Sequence, residues 1–162
     1  MEVKIINVNT KPLENLLLIA SKQQNLLSTI GEHLKNVIGE SFENERSPEG
    51  KKWKENKETK ELAKHRLNAI KKDKEFKKAI LHDSGALSRS FKKKVAKEKV
   101  VVGTNLEYAA IHQFGGMAGR GKKVKIPARP FLPIKKGKML KAVVGEIEDI
   151  IEEFLKEEVS KG

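Results

Sequence analysis

The 162-residue chain has no cysteine, which excludes disulfides and thiolate metal sites and fits a reducing compartment. It also has no apolar run near the roughly eighteen residues a membrane helix needs, and Met1 to Thr10 lacks a signal-peptide layout. The expectation is a soluble protein that starts in the cytoplasm. Aromatic residues make up only 5% of the chain while charged ones reach 35%. The core must therefore be mainly Leu, Ile and Val, which suits helices on a small sheet. A chain this long fits one domain with a modest core of its own, so residues 1–162 are read as one unit.

Acidic residues are scarce in the middle of the chain, and that scarcity shapes the charge. The total is +12, but residues 46–141 hold 28 Lys or Arg against 9 Asp or Glu, while residues 142–162 hold 2 Lys against 7 acids. Residues 1–45, with 4 Lys and 6 acids, are mildly acidic. A basic middle between two acidic ends is compatible with nucleic-acid contact, with complementary surfaces on neighbouring copies or partners, or with a plain solvated surface.

What the chain does have is periodicity. Val3, Ile5 and Val8 suggest a short strand. From Thr10 to near Phe42 the apolar residues recur at the three-and-four spacing of an amphipathic helix. ENERSPEGKKWKEN, with Pro48 and Gly50, reads as an exposed loop with Trp53 as its anchor. Residues 57–81 have a thin apolar stripe among dense Lys and Glu, and 43–82 as a whole reads as a lysine-rich insert, open to movement until bound. HDSGALSRSF reads as a turn into a short helical or extended piece, with Asp83 or Ser84 as a cap. Phe91–Val95 and Val100–Gly103 predict a β-hairpin. LEYAAIHQFGG predicts a short helix capped by Thr104 or Asn105 and stopped by Gly115. Residues 115–123 read as a flexible loop, Val124 and Ile126 as a third strand. Pro127, Pro130 and Pro133 then impose a stiff extended arm. Met139 to Leu155 predict a C-terminal amphipathic helix, with lysines at its start and glutamates at its end, the reverse of what the helix dipole favours. The fold class is α+β: a long N-terminal helix, a small antiparallel β-sheet with a short helix, and a C-terminal helix packed back on the sheet or on a neighbour.

No constellation in this pattern carries chemistry. His33, His65, His82 and His112 lie more than four residues apart, and no metal-ligand spacing occurs. Ser84 with His112 is the one conceivable nucleophile and base, but no elbow motif surrounds the serine and no acid is placed to orient the ring. GMAGRGKK lacks the GxxxxGK[ST] spacing of a phosphate loop. The expectation is a non-enzyme with no cofactor and no metal. The lysine runs could neutralise phosphates, yet stacking aromatics and nucleic-acid signatures are missing between them. Non-specific nucleic-acid binding is the alternative reading.

The stretch EYAAIHQFGGMAGRGKKVKIPARPFLPI, residues 107–134, concentrates the unusual residues. In its helix Tyr108 and His112 share one face, Ala110 and Phe114 another. The arm offers Arg129, Pro130, Phe131 and Leu132, pre-stiffened so that less entropy is lost on immobilisation. Tyr108, His112, Gln113, Phe114, Arg129, Pro130, Phe131 and Leu132 are the candidate protein-interaction residues. Phe131 and Leu132 serve equally well as anchors of the arm on this chain's own core, and both readings stay open.

Three motifs in order, SGALSRSF, VVVGTNLEYAAIHQFGG and KIPARPFLPI, with EGKKWKENKETK upstream, resemble the phage virion morphogenesis family, the Mu-like tail-completion proteins. The likeness covers roughly half of the chain; the Trp53 segment departs from it by continuing with Lys and Glu. The resemblance implies a non-enzymatic structural protein of a phage or prophage, made in the bacterial host cytoplasm and carried in the virion. It implies action at the head-proximal end of the tail or at the neck, with other tail or neck proteins as partners and a homo-oligomer, such as a ring, as the assembled form.

Overall fold

Ile30, Leu34, Ile38 and Phe42 recur every four residues and are all buried, forming the inner stripe of helix α1 (Gln23–Glu43). The computed structural model describes residues 22–54, 80–81, 85–96 and 98–161. Expected features at residues 1–21, the helical reading over most of 57–81, and the Asp83 or Ser84 cap lie outside those residues. The expected end of the N-terminal helix, near Phe42, coincides with the observed one.

Past α1 the chain turns sharply at Glu45 (φ 51°). Glu45 O accepts the Trp53 N–H at 2.8 Å, and Arg46 bridges to Lys52, so the loop closes on itself and drives Trp53 into the core at 4% exposure. The expected anchor is the observed one. Helix α2 (Ala86–Arg89) is a single short turn that buries Leu87. Strands β1 (Lys92–Val95) and β2 (Val100–Gly103) form the expected antiparallel hairpin, with Lys92 opposite Gly103 and Val95 opposite Val100.

This hairpin lies against α1, and one glycine permits the close approach. A Cβ on Gly31 would stand 2.7 Å from Val100 Cγ2, inside any van der Waals contact. Lys93 locks the same junction, donating to Ser28 Oγ at 2.7 Å and pairing with Glu32 at 2.8 Å. Lys93, and then Lys35, hold the Glu32 carboxyl below its ordinary range.

Helix α3 (Ala109–Phe114) follows, then β3 (Gly116–Ala118), a 3-10 turn at 120–122, and β4 (Val124–Ile126). The expected side-chain cap of α3 is not made by Thr104 or Asn105. Tyr108 occupies the cap position without a side-chain bond. Thr104 Oγ1 instead accepts the Leu106 N–H at 3.2 Å and bonds Ser90 Oγ at 2.6 Å, tying the lead-in to α2. The stretch read as a loop contains β3, which pairs with β4 (Met117 opposite Lys125). Three residues, two of them Gly and Ala, offered no alternation to read. A last hairpin, β5 (Ile134–Lys135) with β6 (Lys138–Met139), turns the arm into helix α4 (Lys141–Ser160). Among the described residues the strands thus make three separate two-stranded antiparallel ladders, and the architecture is α+β.

Among the described residues two buried clusters hold these pieces. One is aromatic: Phe42 stacks on Phe131 at 5.2 Å between ring centroids, meets Trp53 edge-on at 5.4 Å, and Phe91 meets Phe131 edge-on at 5.4 Å. Ile38, Leu87 and Ala109 complete it. The other is an aliphatic seam in which Ile30 and Leu34 of α1 meet Val143 of α4, flanked by Ile147, Ile150 and Ile151. Lys22 pairs with the buried Glu158 near the end of α4, and His33 Nε2 meets Glu146 near its start at 2.9 Å, so the two helices run antiparallel.

Candidate protein-interaction site

Helix α3 is two-faced because of where its six residues sit. Ala109 and Gln113, four apart, are buried; Tyr108 is 45% exposed and Phe114 67%. Gly115 ends the helix with φ 73°, its N–H bonded to Ile111 O at 2.9 Å, as the sequence leads one to expect. A Cβ there would lie 2.8 Å from the Ala128 backbone nitrogen, so the arm crosses directly over the helix end.

Every backbone donor of the arm from residue 129 to 134 is accounted for, as buried backbone requires. Arg129 N–H donates to His112 O at 2.7 Å. The amide oxygen Oε1 of Gln113 accepts both the Phe131 N–H at 2.9 Å and the Leu132 N–H at 3.0 Å. Ile134 N–H donates to Leu132 O at 2.8 Å, and Pro130 and Pro133 have no N–H to satisfy. Trp53 Nε1–H donates to Pro130 O at 2.9 Å, and Arg129 Nε–H to Lys54 O at 3.0 Å, so the loop after α1 grips the arm from its other side.

The eight candidate residues therefore separate into two groups. Gln113, Arg129 and Phe131 are buried, and Pro130 and Leu132 half-buried; together they fasten the arm to α3, the Trp53 loop and the aromatic cluster. Tyr108 and Phe114 face outward, with His112 between, its ring edge-on to Tyr108 at 6.2 Å. Beyond Phe114, Met117 and Val124 are also exposed, at 48% and 40%. Met117 lies across from Lys125, so those two share a face of the β3–β4 ribbon.

Burial, and secondly the charge of Arg129, push the His112 imidazole below its ordinary pKa. Its Nδ1 is buried with no hydrogen-bond partner among the described residues. The ring is thus kept neutral beside a guanidinium that is itself pulled down by burial but remains charged. Ser84, the imagined nucleophile, lies outside the described residues. Among the described residues no three His, Asp or Glu side chains converge as a metal site, and no helix is long and apolar enough to cross a membrane.

A two-faced helix is thus clamped to a proline-stiffened arm, with its free face carrying exposed aromatic side chains. The chain matches the phage virion morphogenesis family over residues 6–156 and belongs to it. It is similar to the curated protein "Mu-like prophage FluMu G protein 2" of Haemophilus influenzae (strain ATCC 51907 / DSM 11121 / KW20 / Rd), 34% identical over 134 residues that span 82% of this chain and 83% of that protein. No solved structure matches the chain. Its role lies in building the phage particle, among other phage proteins.

Sequence reasoning did not find the double acceptor role of Gln113 or the Trp53–Pro130 bond. Neither has a local signature, because the partners are 18 and 77 residues apart.

Proposed function

We propose that the protein completes the head-proximal end of the tail, or the neck, and supports head–tail joining through protein contacts, without catalysing a reaction. The observation that carries this reading is the outward face of α3. Phe114, at 67% exposure, is a large apolar side chain held on a helix whose opposite face is fixed by Gln113 and the arm. Presenting a bulky ring to water has no folding benefit, whereas a rigid aromatic anchor is the commonest kind of energetic centre in protein interfaces. Tyr108, Phe114, Met117 and Val124 form the contact surface; Gln113, Arg129, Pro130, Phe131 and Leu132 hold it in place, and His112 keeps Tyr108 oriented.

The test is particle assembly in a host carrying the phage genes. Phe114→Asp should leave the chain folded, since the residue is 67% exposed, yet give heads and tails that fail to join under the electron microscope. Normal infectious yield from that variant, or from a deletion of the gene, would refute the proposal. The acid-free basic stretch around β3 and β4 favours a second reading, non-specific nucleic-acid binding. It predicts salt-sensitive retardation of DNA or RNA by the purified chain, unaffected by Phe114→Asp.

A further inference from the structure

Arg129 is a buried charge without a counter-ion among the described residues. It is 4% exposed. Its backbone N–H goes to His112 O at 2.7 Å and its Nε–H to Lys54 O at 3.0 Å. The remaining donors of the guanidinium sit on its two terminal nitrogens, which bond nothing among the described residues. His112 Nδ1 is the one fully enclosed side-chain nitrogen or oxygen without a partner among those residues. The terminal nitrogens of Arg129 therefore touch the surface, through an opening that is narrow and lies at the charged end.

The surrounding sequence supplies no carboxylate to fill it. No acid occurs from Tyr108 to Gly145, where nine residues are Lys or Arg. The loop that grips the arm, residues 44–54, contains Glu45 and Glu49, and both are engaged elsewhere. Glu45 Oε1 accepts the Ile80 N–H at 2.6 Å, and Glu49 pairs with Lys135 at 2.6 Å. Burying an arginine without an anion is costly, and the type is almost never fully buried unless paired. The fold draws one side-chain bond from this residue, to one carbonyl, a task that does not need a guanidinium. What the guanidinium adds is an end-on pair of parallel N–H groups, whose spacing matches the two oxygens of a carboxylate.

We infer that Arg129 receives a carboxylate from a protein partner: an aspartate or glutamate side chain of another phage protein, held end-on by the two terminal nitrogens beside the base of the β3–β4 hairpin. The inference rests on the protein-contact role proposed above and gives the chemistry of the partner. Gly115 lies against Ala128, so Arg129 stands where the arm crosses the end of α3. Arg120, Lys123 and Lys125 of the same excursion are exposed and favour an acidic segment around the inserted side chain. A flat carboxylate enters a slit that a phosphodiester, tetrahedral and flanked by sugars, does not.

Nitrogen-15 NMR of the full chain reads the site without any particle. Sodium acetate, exchanged for chloride at constant ionic strength, should shift the Arg129 Nε resonance to saturation with a dissociation constant of about 10 mM. The His112 ring, which burial and then Arg129 hold below its ordinary pKa, should titrate at higher pH with acetate bound, because the carboxylate offsets the guanidinium charge. Arg129→Lys keeps a charge but loses the fork, and should weaken the acetate response read at His112 at least about tenfold. In a host carrying the phage genes the same variant should lower infectious yield at least about tenfold at unchanged chain level. No saturable shift at Arg129, or an equal response in Arg129→Lys, overturns the inference. Dimethyl phosphate binding more tightly than acetate would assign the guanidinium to a nucleic-acid backbone and overturn it equally. A normal yield from Arg129→Lys beside a clear acetate response would leave a small-anion site that no partner uses, which also overturns it. Loss of yield in Phe114→Asp alone strikes this inference and leaves the contact role standing, whereas normal yield in both variants strikes the contact role as well.

Discussion

The two buried clusters differ in what they connect. The aliphatic seam joins two long helices along their lengths, through Ile30, Leu34 and Val143, with the Lys22–Glu158 ion pair and the His33–Glu146 hydrogen bond at its margins. The aromatic cluster joins four short, distant pieces of chain, since Phe42, Trp53, Phe91 and Phe131 come from the end of α1, a loop, the start of a hairpin and the arm. A seam is fixed by repetition, and losing one member leaves the others in register. A convergence of single rings has no such redundancy. The lesson is that the surface proposed for contact on α3 depends on the second cluster, although the first involves the longer elements.

Four measurements would sharpen or break that contrast. Phe131→Ala should cost the most, about 3–5 kcal/mol of unfolding free energy in denaturant titration, and should expose the arm to a protease that cuts after Lys125. Leu34→Ala should cost about 2–5 kcal/mol but leave the native-state cleavage pattern of the arm unchanged. If it frees the arm as much as the phenylalanine variant does, the clusters are one cooperative unit. Gln113→Leu keeps the packing volume but strands the Phe131 and Leu132 N–H groups, and about 1–3 kcal/mol for each buried orphan is expected, read in the same titration.

The smallest effect concerns His112. Its folded-state pKa lies below the unfolded value, so the unfolded chain takes up the proton first and stability rises with pH. Stability should therefore be intact above about pH 6.5 and fall as pH drops through and below that value. Thermal midpoints between pH 7.5 and 5 check this, with His112→Gln expected to flatten the curve. A steeper decline in the variant would mean that other groups govern the pH response.

Much of the fold was legible because helices and hairpins announce themselves locally. The Ile30–Phe42 stripe, the Val100–Gly103 strand, the stop at Gly115 and the prolines of the arm each follow from spacing or from backbone chemistry. The candidate site was legible only as a region. Sequence placed Phe114 and Phe131 side by side as aromatic candidates, and nothing local distinguishes a ring that faces water from one at 1% exposure. The distinction is made by Phe42, Trp53 and Phe91, which wait for Phe131 from far along the chain. The β3 strand escaped for a different reason: its pairing comes from Val124–Ile126, while its own residues carry almost no side-chain pattern.

At Gly115 the helix end and the arm touch, and Arg129 bonds His112 just beyond, so the chain leaves and re-enters the body of the fold at one point. Residues 116–127 are consequently a closed excursion with a pinched base. Lengthening or exchanging such a loop costs little closure entropy once its ends are fixed. The hairpin can thus be lengthened or exchanged while the fold beneath it stays constant.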